Sequence, residues 1–370
     1  MIIRRIGFVI LSALSLMASA QVVPQHKKTH VLLEKAKLPE KPYLAFPALI
    51  DLGSDVLISY KHGRSHAGDP GATMDMLRID CAGVVKPCGT IAALDGLIMQ
   101  MGEWARFPDG SIANYIDAQK KGKPSRVGLR VVRSTDGGKT FGPVERVGVI
   151  DGVEYGYAFE AITQGKTTWM LVMTFSNLEG GKFSLKLPRV AGSVDIIRSE
   201  DSGVSWHFVR SLTRELAGAP INESSFAICG DGFIVAARGY DKRQWLMRTD
   251  GEFRVTRKVD LTKENAFITS YVGRPRVFTR DGGWYLMGRN YIALKTPMRF
   301  SMFRFDPDTL AVTKHVILDN DKGKKVPDGY YAMPYWRERS GKTEFNVVTY
   351  KRDAVRHGII RFVYDWEEIR

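Results

Sequence analysis

The sequence predicts an all-β fold in which small antiparallel sheets form a closed ring. Three observations support this prediction: helical periodicity is nearly absent, short apolar or alternating runs follow one another between turn residues, and one turn motif recurs along the chain. The 370 residues are 44% hydrophobic and 25% charged. These values are ordinary for a globular protein, so wholesale disorder and collagen-like sequence are excluded.

Short strand-like segments follow one another through most of the chain. Each is bounded by Gly, Asp, Asn or Pro, which favour tight turns between antiparallel strands. Examples are residues 56–60, 169–175, 233–237, 284–287 and 344–350. Because no linker or change of composition divides these segments, the pattern favours one radial array over two sandwiches.

The first 20 residues have the pattern of a secretory signal peptide. Arg4 and Arg5 precede an apolar run over residues 6–17, and Ala-Ser-Ala at residues 18–20 fits a cleavage site. The run is short for a membrane span, and no later segment approaches about 18 uncharged apolar residues. We therefore expect export to the periplasm or beyond, without stable membrane insertion, and one domain over residues 21–370. An uncleaved membrane anchor is the alternative.

The chain is basic, with 54 Lys and Arg against 40 Asp and Glu and a net charge of +14. Its basic residues are scattered, whereas nucleic-acid binding favours clusters with stacking aromatics. An acidic glycan is the better partner for an exported protein, because long-range steering needs only a diffuse field. The 3 cysteines are too few for a disulfide scaffold or a four-ligand zinc set. Whether Cys81 and Cys88 are bridged stays open, and the apolar context of Cys229 predicts a buried thiol.

A turn motif, Ser-x-Asp-x-Gly-x-(Ser/Thr)-aromatic, occurs at residues 134–141 and 199–206, with a degraded copy at residues 248–253. The Asp side chain accepts backbone N–H groups across the turn, Gly supplies a positive φ, and the aromatic residue returns to the core. The spacing fits one four-stranded sheet per repeat. These turns resemble the Asp boxes of the sialidase superfamily, which implies a six-bladed β-propeller, with seven blades as the alternative.

The resemblance extends to the first blade of a sialidase-like propeller. Residues 46–49, the strand that follows, and residues 63–69 match a segment in which an Arg follows the strand and an Asp in the next loop serves as acid/base. The matching positions here are Arg64 and Asp69. The resemblance therefore implies that Asp69 protonates the leaving oxygen, which requires burial to raise its pKa.

Two later blades resemble those that supply the family's Glu and its other arginines. Residues 222–238 imply a catalytic role for Glu223 and a substrate-binding role for Arg238. These two lie 15 positions apart, the reach of one hairpin, so both side chains would face the central channel. Residues 273–299 resemble the following blade, which implies that Arg299 is the family's third Arg.

Residues 328–335 are similar to the segment that carries the family's nucleophilic Tyr. The resemblance assigns that role to Tyr330, with the adjacent Tyr331 as the alternative. A phenol is a weak nucleophile at its free pKa, so it needs a neighbouring base, and Glu223 would be that base. A Tyr nucleophile is a known exception to the two-carboxylate pattern of glycoside hydrolysis, and it keeps a second carboxylate away from an anionic sugar.

One departure from the family concerns the substrate. Sialidases have an Arg-Ile-Pro sequence whose Arg binds the substrate carboxylate, whereas residues 45–47 here read Ala-Phe-Pro. An alanine cannot replace a guanidinium that binds a carboxylate through two hydrogen bonds. Either Arg274 or Arg276 supplies this contact, or the substrate is not a sialic acid, and we favour the second explanation.

The sequence therefore predicts an exported, sialidase-like glycoside hydrolase that removes an acidic or related sugar from glycans, with no cofactor and no metal. The predicted catalytic residues are Asp69, Glu223 and Tyr330. The predicted substrate-binding residues are Arg64, His66, Arg238, Arg274 and Arg299. Because His66 shares the loop of Asp69, a propeller lyase or His-dependent glycosidase acting on uronate-containing polysaccharide is an alternative. A non-catalytic glycan-binding propeller is another.

Overall fold

The computed structural model describes residues 21–34, 40–122, 125–174, 192–291, 297–352 and 357–370. The strands form six small sheets arranged as a ring, so the protein is a six-bladed β-propeller. The predicted all-β fold class is confirmed, with the lower of the two expected blade numbers. The predicted signal peptide at residues 1–20 lies outside the described residues.

The first half of the chain supplies two N-terminal strands and three blades. The N-terminal strands are β1 (Gln21–Val22) and β2 (Lys27–Glu34). The first blade contains β3 (Tyr43–Asp51), β4 (Val56–Gly63), β5 (Thr73–Ile79) and β6 (Val85–Ala92). The second blade contains β7 (Leu97–Arg106), β8 (Ile112–Lys120), β9 (Arg126–Ser134) and β10 (Glu145–Arg146). The third blade contains β11 (Val149–Ile150), β12 (Val153–Gln164), β13 (Thr167–Thr174), β14 (Val194–Ser199) and β15 (His207–Ser211).

The second half supplies three more blades and three short helices. After α1 (Leu212–Glu215), the fourth blade contains β16 (Ile221–Cys229), β17 (Gly232–Gly239), β18 (Gln244–Thr249) and β19 (Val255–Asp260). After α2 (Leu261–Glu264), the fifth blade contains β20 (Gly273–Arg280), β21 (Gly283–Asn290), β22 (Arg299–Phe305) and β23 (Val312–Asp319). The sixth blade contains β24 (Asp328–Gly329), β25 (Met333–Arg339), β26 (Lys342–Arg352) and β27 (His357–Asp365), followed by α3 (Trp366–Ile369). Within the described ranges, no helix is long and apolar enough to cross a membrane.

The ring is closed by strands from opposite ends of the sequence. β2 pairs with β27 in antiparallel fashion and forms the outer strand of the sixth blade. β1 adds in parallel to β23 at the edge of the fifth blade. The ammonium of Lys27 also lies 2.6 Å from Asp319 Oδ1, which ties β2 to the end of β23. The N-terminal strands therefore complete the last two blades.

An aspartate lies at the end of the third long strand of each of these six blades. Its carboxylate accepts a backbone N–H from the following turn, at distances between 2.7 Å and 3.1 Å. In the two turns detected most clearly in the sequence, Ser134 and Ser199 accept the N–H of a glycine at 2.8 Å. The recurring aspartates are Asp80, Asp136, Asp201, Asp250, Asp306 and Asp365. The turn motif therefore recurs once per blade through its aspartate, even where the other residues of the motif have changed.

Apolar side chains fill the interfaces between neighbouring blades. Leu57 of the first blade packs in one buried cluster with Trp104 and Ile112 of the second. Trp206, which follows the turn of the third blade, lies edge-on to Tyr115 of the second, with ring centres 5.8 Å apart. Burying an aromatic side chain of this size contributes about 2 to 3 kcal/mol. This packing fixes the inner strands relative to the axis.

The three cysteines are present as separate thiols. Cys81 and Cys88 are both exposed, Cys81 in the turn after β5 and Cys88 within β6. Cys229 is only partly buried, which corrects the prediction of a buried thiol. It ends β16 directly before the exposed turn at Gly230, so solvent reaches one side of the residue.

Candidate active site at the propeller axis

The inner strand of every blade is irregular close to its first residues. The sixth is split into β24 and β25, and register shifts interrupt the others after Ala45, Met99, Tyr155, Ile221 and Gly273. A bulge removes a residue from the ladder and turns its side chain in a new direction. Because each blade is wound from its inner to its outer strand, these irregularities gather at one end of the axis. Polar side chains converge there.

Glu223, in the bulge of β16, is the centre of this convergence. Its Oε2 atom lies 2.6 Å from Nη1 of Arg238, 3.4 Å from Nη2 of Arg289, and accepts the N–H of Arg274 at 2.8 Å. Its Oε1 atom accepts a hydrogen bond from the hydroxyl of Tyr331. Burial alone would raise the pKa of Glu223, but the two guanidinium groups and the phenol outweigh it and hold the pKa well below its usual range. The carboxylate is therefore ionised.

Arg238 and Arg289 flank this carboxylate and rest on aromatic rings. The guanidinium carbon of Arg238 lies 4.0 Å from the ring centre of Tyr271, and that of Arg289 lies 4.5 Å from the ring centre of Tyr331. Their side chains keep 16% and 13% of their surface exposed. Gly273 makes room for Arg289, since a Cβ there would lie 2.6 Å from Nε. Two positive charges thus face one carboxylate, which favours an anion as the third member.

The structure places Tyr331, rather than Tyr330, against Glu223. Tyr330 is fully buried, and its hydroxyl donates to Asp319 Oδ2 at 2.6 Å while its ring stacks on Phe300. Its φ of 61° turns the backbone between β24 and β25, so adjacent tyrosines point to different sides. Tyr331 is half-buried and reaches the axis. Of the two tyrosines considered in the sequence, the alternative one meets the predicted base.

In the fifth blade, Arg289 and Arg299 also differ in whether they reach the axis. Arg289 contacts Glu223, whereas Arg299 begins β22 opposite Asn290 and is not among the contacts of Glu223 in the described ranges. Arg289 and Asn290 lie inside the segment on which the resemblance rested. That position was the available signal for the third Arg, but the sequence did not show which arginine faces the axis.

A buried ionic layer lies next to Glu223. Nη2 of Arg274 and Nη2 of Arg276 lie 2.5 Å and 2.6 Å from Oε2 of Glu103, and Nη1 of Arg276 lies 3.2 Å from Oε1 of Glu160. Glu103 belongs to the second blade and both arginines to the fifth, so these pairs cross the axis. Both guanidinium groups are therefore committed to buried carboxylates, rather than open to a substrate as the sequence had allowed.

Asp69 and Arg64 lie in the loop after β4 and stabilise that loop. The Oδ2 atom of Asp69 accepts the backbone N–H groups of Arg64 at 2.6 Å and Ser65 at 3.3 Å, and the residue is buried. A Cβ at Gly63 would lie 2.2 Å from the same oxygen. The side chain of Arg64 is exposed. Neither residue contacts Glu223 in the part of the chain that is described.

His66, in the same loop, does approach the site. Its Nδ1 atom lies 2.8 Å from the hydroxyl of Tyr43 and 3.2 Å from Oδ2 of Asp328, while 59% of its side chain stays exposed. Phe46 connects the two halves of the site, because its ring centre lies 5.1 Å from those of both His66 and Tyr331. The sequence singled out His66 but gave no signal for Asp328, which precedes the tyrosines in a turn-like stretch. Among the described side chains, no three His, Cys, Asp or Glu residues are grouped to hold a metal ion.

Comparison with known proteins shows the fold. No family model matches the chain, and no curated protein matches it. A protein of unknown function from Dyadobacter fermentans is similar with a TM-score of 0.69 and 16% identity, over 93% of this chain and 98% of that one. Trypanosoma rangeli sialidase in complex with sialic acid is similar with a TM-score of 0.56 and 11% identity, over 94% of this chain and 60% of that one. The GH43_1 enzyme from Xanthomonas citri complexed with xylose is similar with a TM-score of 0.50 and 11% identity, over 80% of this chain and 95% of that one. The chain thus has a sialidase-like propeller fold.

Proposed function

We propose that this protein is a glycoside hydrolase that releases an acidic sugar from glycans, with Tyr331 as nucleophile and Glu223 as its base. The observation that carries the proposal is the environment of one carboxylate. Glu223 receives a phenolic hydrogen bond on Oε1 and two guanidinium groups, Arg238 and Arg289, on Oε2. The proposed nucleophile, its base and the proposed anion-binding groups therefore lie within contact of one another.

The arginines link substrate binding to activation of the phenol. Without a substrate, Arg238 and Arg289 hold the pKa of Glu223 low, so its carboxylate is a weak base toward Tyr331. An anion bound between the guanidinium groups would share their donors and weaken their hold on Oε2. The basicity of Glu223 would then rise when an acidic sugar is bound, whereas a neutral sugar would leave it unchanged. The position of the two guanidinium groups on Oε2 of Glu223 therefore supports an anionic substrate.

The first blade supports an acidic sugar other than a sialic acid. Residues 45–47 lack the family's first Arg, and Phe46 contributes an apolar ring beside Tyr331. Two guanidinium groups without a third arginine bind a carboxylate with fewer charge-assisted hydrogen bonds. We further propose that the protein is exported, as the pattern of residues 1–20 predicts, since export would bring it to extracytoplasmic glycans.

A screen of acidic oligosaccharides tests this proposal. Wild-type protein and the Glu223→Gln variant would be incubated with oligosaccharides containing sialic, uronic and 3-deoxy-2-keto acids, and release of new reducing ends would be measured. The control is Glu200→Gln, which removes an exposed carboxylate 3.9 Å from Arg198 on the third blade. We expect reducing ends from wild type and the control, and a loss of at least about 100-fold in Glu223→Gln. Equal activity of Glu223→Gln and wild type would falsify the assignment.

His66 favours a second candidate function, β-elimination on a uronate-containing polysaccharide. Its exposed imidazole beside Asp328 fits a base that removes a proton next to a uronate carboxyl, with Arg238 and Arg289 neutralising that carboxyl. The two functions give different products in the same screen. An unsaturated uronate product absorbs in the ultraviolet, whereas hydrolysis releases reducing ends without that absorbance.

A further inference from the structure

We infer that His66 is the proton donor to the leaving oxygen in the reaction proposed above, and that Asp328, Tyr43, Lys61 and Gln100 position it. This inference rests on the proposed glycoside hydrolysis and assigns a step that the resemblance gives to Asp69. Three features of the structure support it: how the ring of His66 is held, how its main chain is held, and how Asp69 is used.

The ring of His66 is held through one nitrogen only. Both described hydrogen-bond contacts of the imidazole, to Tyr43 at 2.8 Å and to Asp328 at 3.2 Å, use Nδ1. Nε2 is therefore the nitrogen available to a ligand, at the exposed end of the ring. A carboxylate that holds Nδ1 fixes the orientation of the ring, so Nε2 is the atom that passes a proton to the leaving oxygen.

Asp328 is built to remain a carboxylate. It accepts hydrogen bonds from Tyr43 at 2.7 Å and from Tyr350 at 2.5 Å, besides its contact with His66. Burial alone would raise its pKa, but the hydrogen bonds from His66, Tyr350 and Tyr43 outweigh it and lower the pKa to about 2. The negative charge beside the imidazole is therefore present at any ordinary pH.

The main chain of His66 is fixed by two buried side chains. Its carbonyl accepts hydrogen bonds from Gln100 Nε2 at 2.7 Å and from Lys61 Nζ at 3.2 Å, and Lys61 also donates to Gln100 Oε1 at 2.7 Å. Lys61 and Gln100 belong to the first and second blades. Burial lowers the pKa of Lys61 to about 8, so placing an ammonium here has a free-energy cost. The exposed imidazole is thus held at a defined place, which catalysis requires of a proton donor.

Asp69 is used differently. Its Oδ2 atom accepts two backbone N–H groups of its own loop, Arg64 and Ser65, and its side chain is buried beneath that loop. Because the same oxygen is bound to two backbone N–H groups, it is already engaged within the loop and is not directed toward a leaving group. Asp69 therefore shapes the loop that carries His66.

The steps balance as a double displacement. In the first step, Tyr331 Oη bonds to the anomeric carbon and passes its phenolic proton to Glu223, while the glycosidic C–O electron pair moves to the leaving oxygen, which takes the proton of His66 Nε2. In the second step, a water oxygen bonds to the anomeric carbon and gives one proton to neutral His66. The carbon–tyrosine bond breaks, and Tyr331 regains its proton from Glu223. The net reaction is hydrolysis, and each residue ends as it began.

The test compares leaving groups that do and do not need a proton. The substrates are the methyl and 2,4-dinitrophenyl glycosides of glucuronic, galacturonic and 3-deoxy-2-keto acids. We expect His66→Gln to lower kcat/KM about 100-fold or more on the methyl glycoside. On the dinitrophenyl glycoside, kcat/KM should stay within about 3-fold of wild type, because a general acid helps only a poor leaving group. We expect Asp328→Asn to lower the methyl glycoside rate about 10-fold, since it acts through His66.

Two variants separate this inference from the proposed function. Tyr331→Phe should lose activity on both substrates. His207→Gln should lose activity on neither, because His207 is as exposed as His66 but pairs with Asp151 on the third blade. Thermal unfolding of every variant checks that its fold is retained.

If His66→Gln matches wild type on the methyl glycoside while Tyr331→Phe is inactive, the inference is wrong and the proposed function stands. The inference also fails if Asp69→Asn alone shows the leaving-group pattern, or if a His66-dependent product absorbs as an unsaturated uronate. Full activity of Tyr331→Phe, or a wild type that cleaves no glycoside, overturns the proposed function itself.

Discussion

The hydroxyl of Tyr331 donates a hydrogen bond to Glu223 across 108 positions of sequence. Tyr331 lies in the sixth blade, between β24 and β25, and Glu223 lies in β16 of the fourth. The bond joins the inner parts of two blades that are separated in sequence by the whole fifth blade. The proposed nucleophile and its base therefore come together only through the packing of blades around the axis.

The adjacent tyrosines give the first prediction. We expect Tyr331→Phe to lower kcat at least about 1000-fold on any substrate found in the screen, because it removes the proposed nucleophile. We expect Tyr330→Phe to retain activity but to lower the free energy of unfolding by about 2 kcal/mol, because its hydroxyl donates to the buried carboxylate of Asp319. Steady-state kinetics and urea unfolding of the two variants measure both effects. The reverse pattern, an inactive Tyr330→Phe beside an active Tyr331→Phe, would restore the role implied by the resemblance.

The pH dependence of stability gives the second prediction. The pKa of Asp328 in the folded protein is about 2, below its ordinary value of 3.8, so its ionised form stabilises the fold above about pH 4. The shift corresponds to about 2 kcal/mol, which is lost as the pH falls through about 2. We expect wild type to exceed Asp328→Asn in free energy of unfolding by about this amount at pH 6. Urea unfolding between pH 6 and pH 2 should show the difference shrinking below pH 4. A constant difference would mean that the charge of Asp328 is not what stabilises the fold.

Much of the fold was predictable, because period-2 runs and aspartate turns depend on local sequence. The pairing of Glu223 with Arg238 was also accessible, since one hairpin brings them together. The choices between Tyr330 and Tyr331, and between Arg289 and Arg299, were not. Bulges and positive-φ residues in the inner strands decide which neighbour faces the axis, and no side-chain pattern records them.

The cysteines give the third prediction. In protein purified without reductant, we expect Cys81 and Cys88 to be labelled rapidly by a maleimide, because both are exposed thiols. Cys229 should react more slowly, since burial raises the pKa of its thiol and leaves less thiolate at pH 7. Timed labelling followed by peptide mass spectrometry distinguishes the three. Resistance of both Cys81 and Cys88 until a reductant is added would reveal a disulfide between them and contradict the structure.

The ionic layer across the axis gives the fourth prediction. Glu103 and Glu160 together balance the buried guanidinium groups of Arg274 and Arg276, so Glu103→Gln leaves one positive charge uncompensated in the interior. We expect it to lower the free energy of unfolding by about 3 kcal/mol. The control is Glu338→Gln, whose carboxylate is exposed and lies 3.5 Å from Arg280, and we expect it to change stability by less than about 1 kcal/mol.

Activity provides a second measurement of the same layer. The backbone N–H of Arg274 donates to Glu223, so movement of the arginine side chain should also disturb the proposed base. We expect Glu103→Gln to lower kcat more than it raises KM, because Arg238 and Arg289 would still bind the anion. If the variant kept both its stability and its kcat, the ionic layer would neither stabilise the propeller nor position Glu223. Loss of stability with an unchanged kcat would limit its role to the ring.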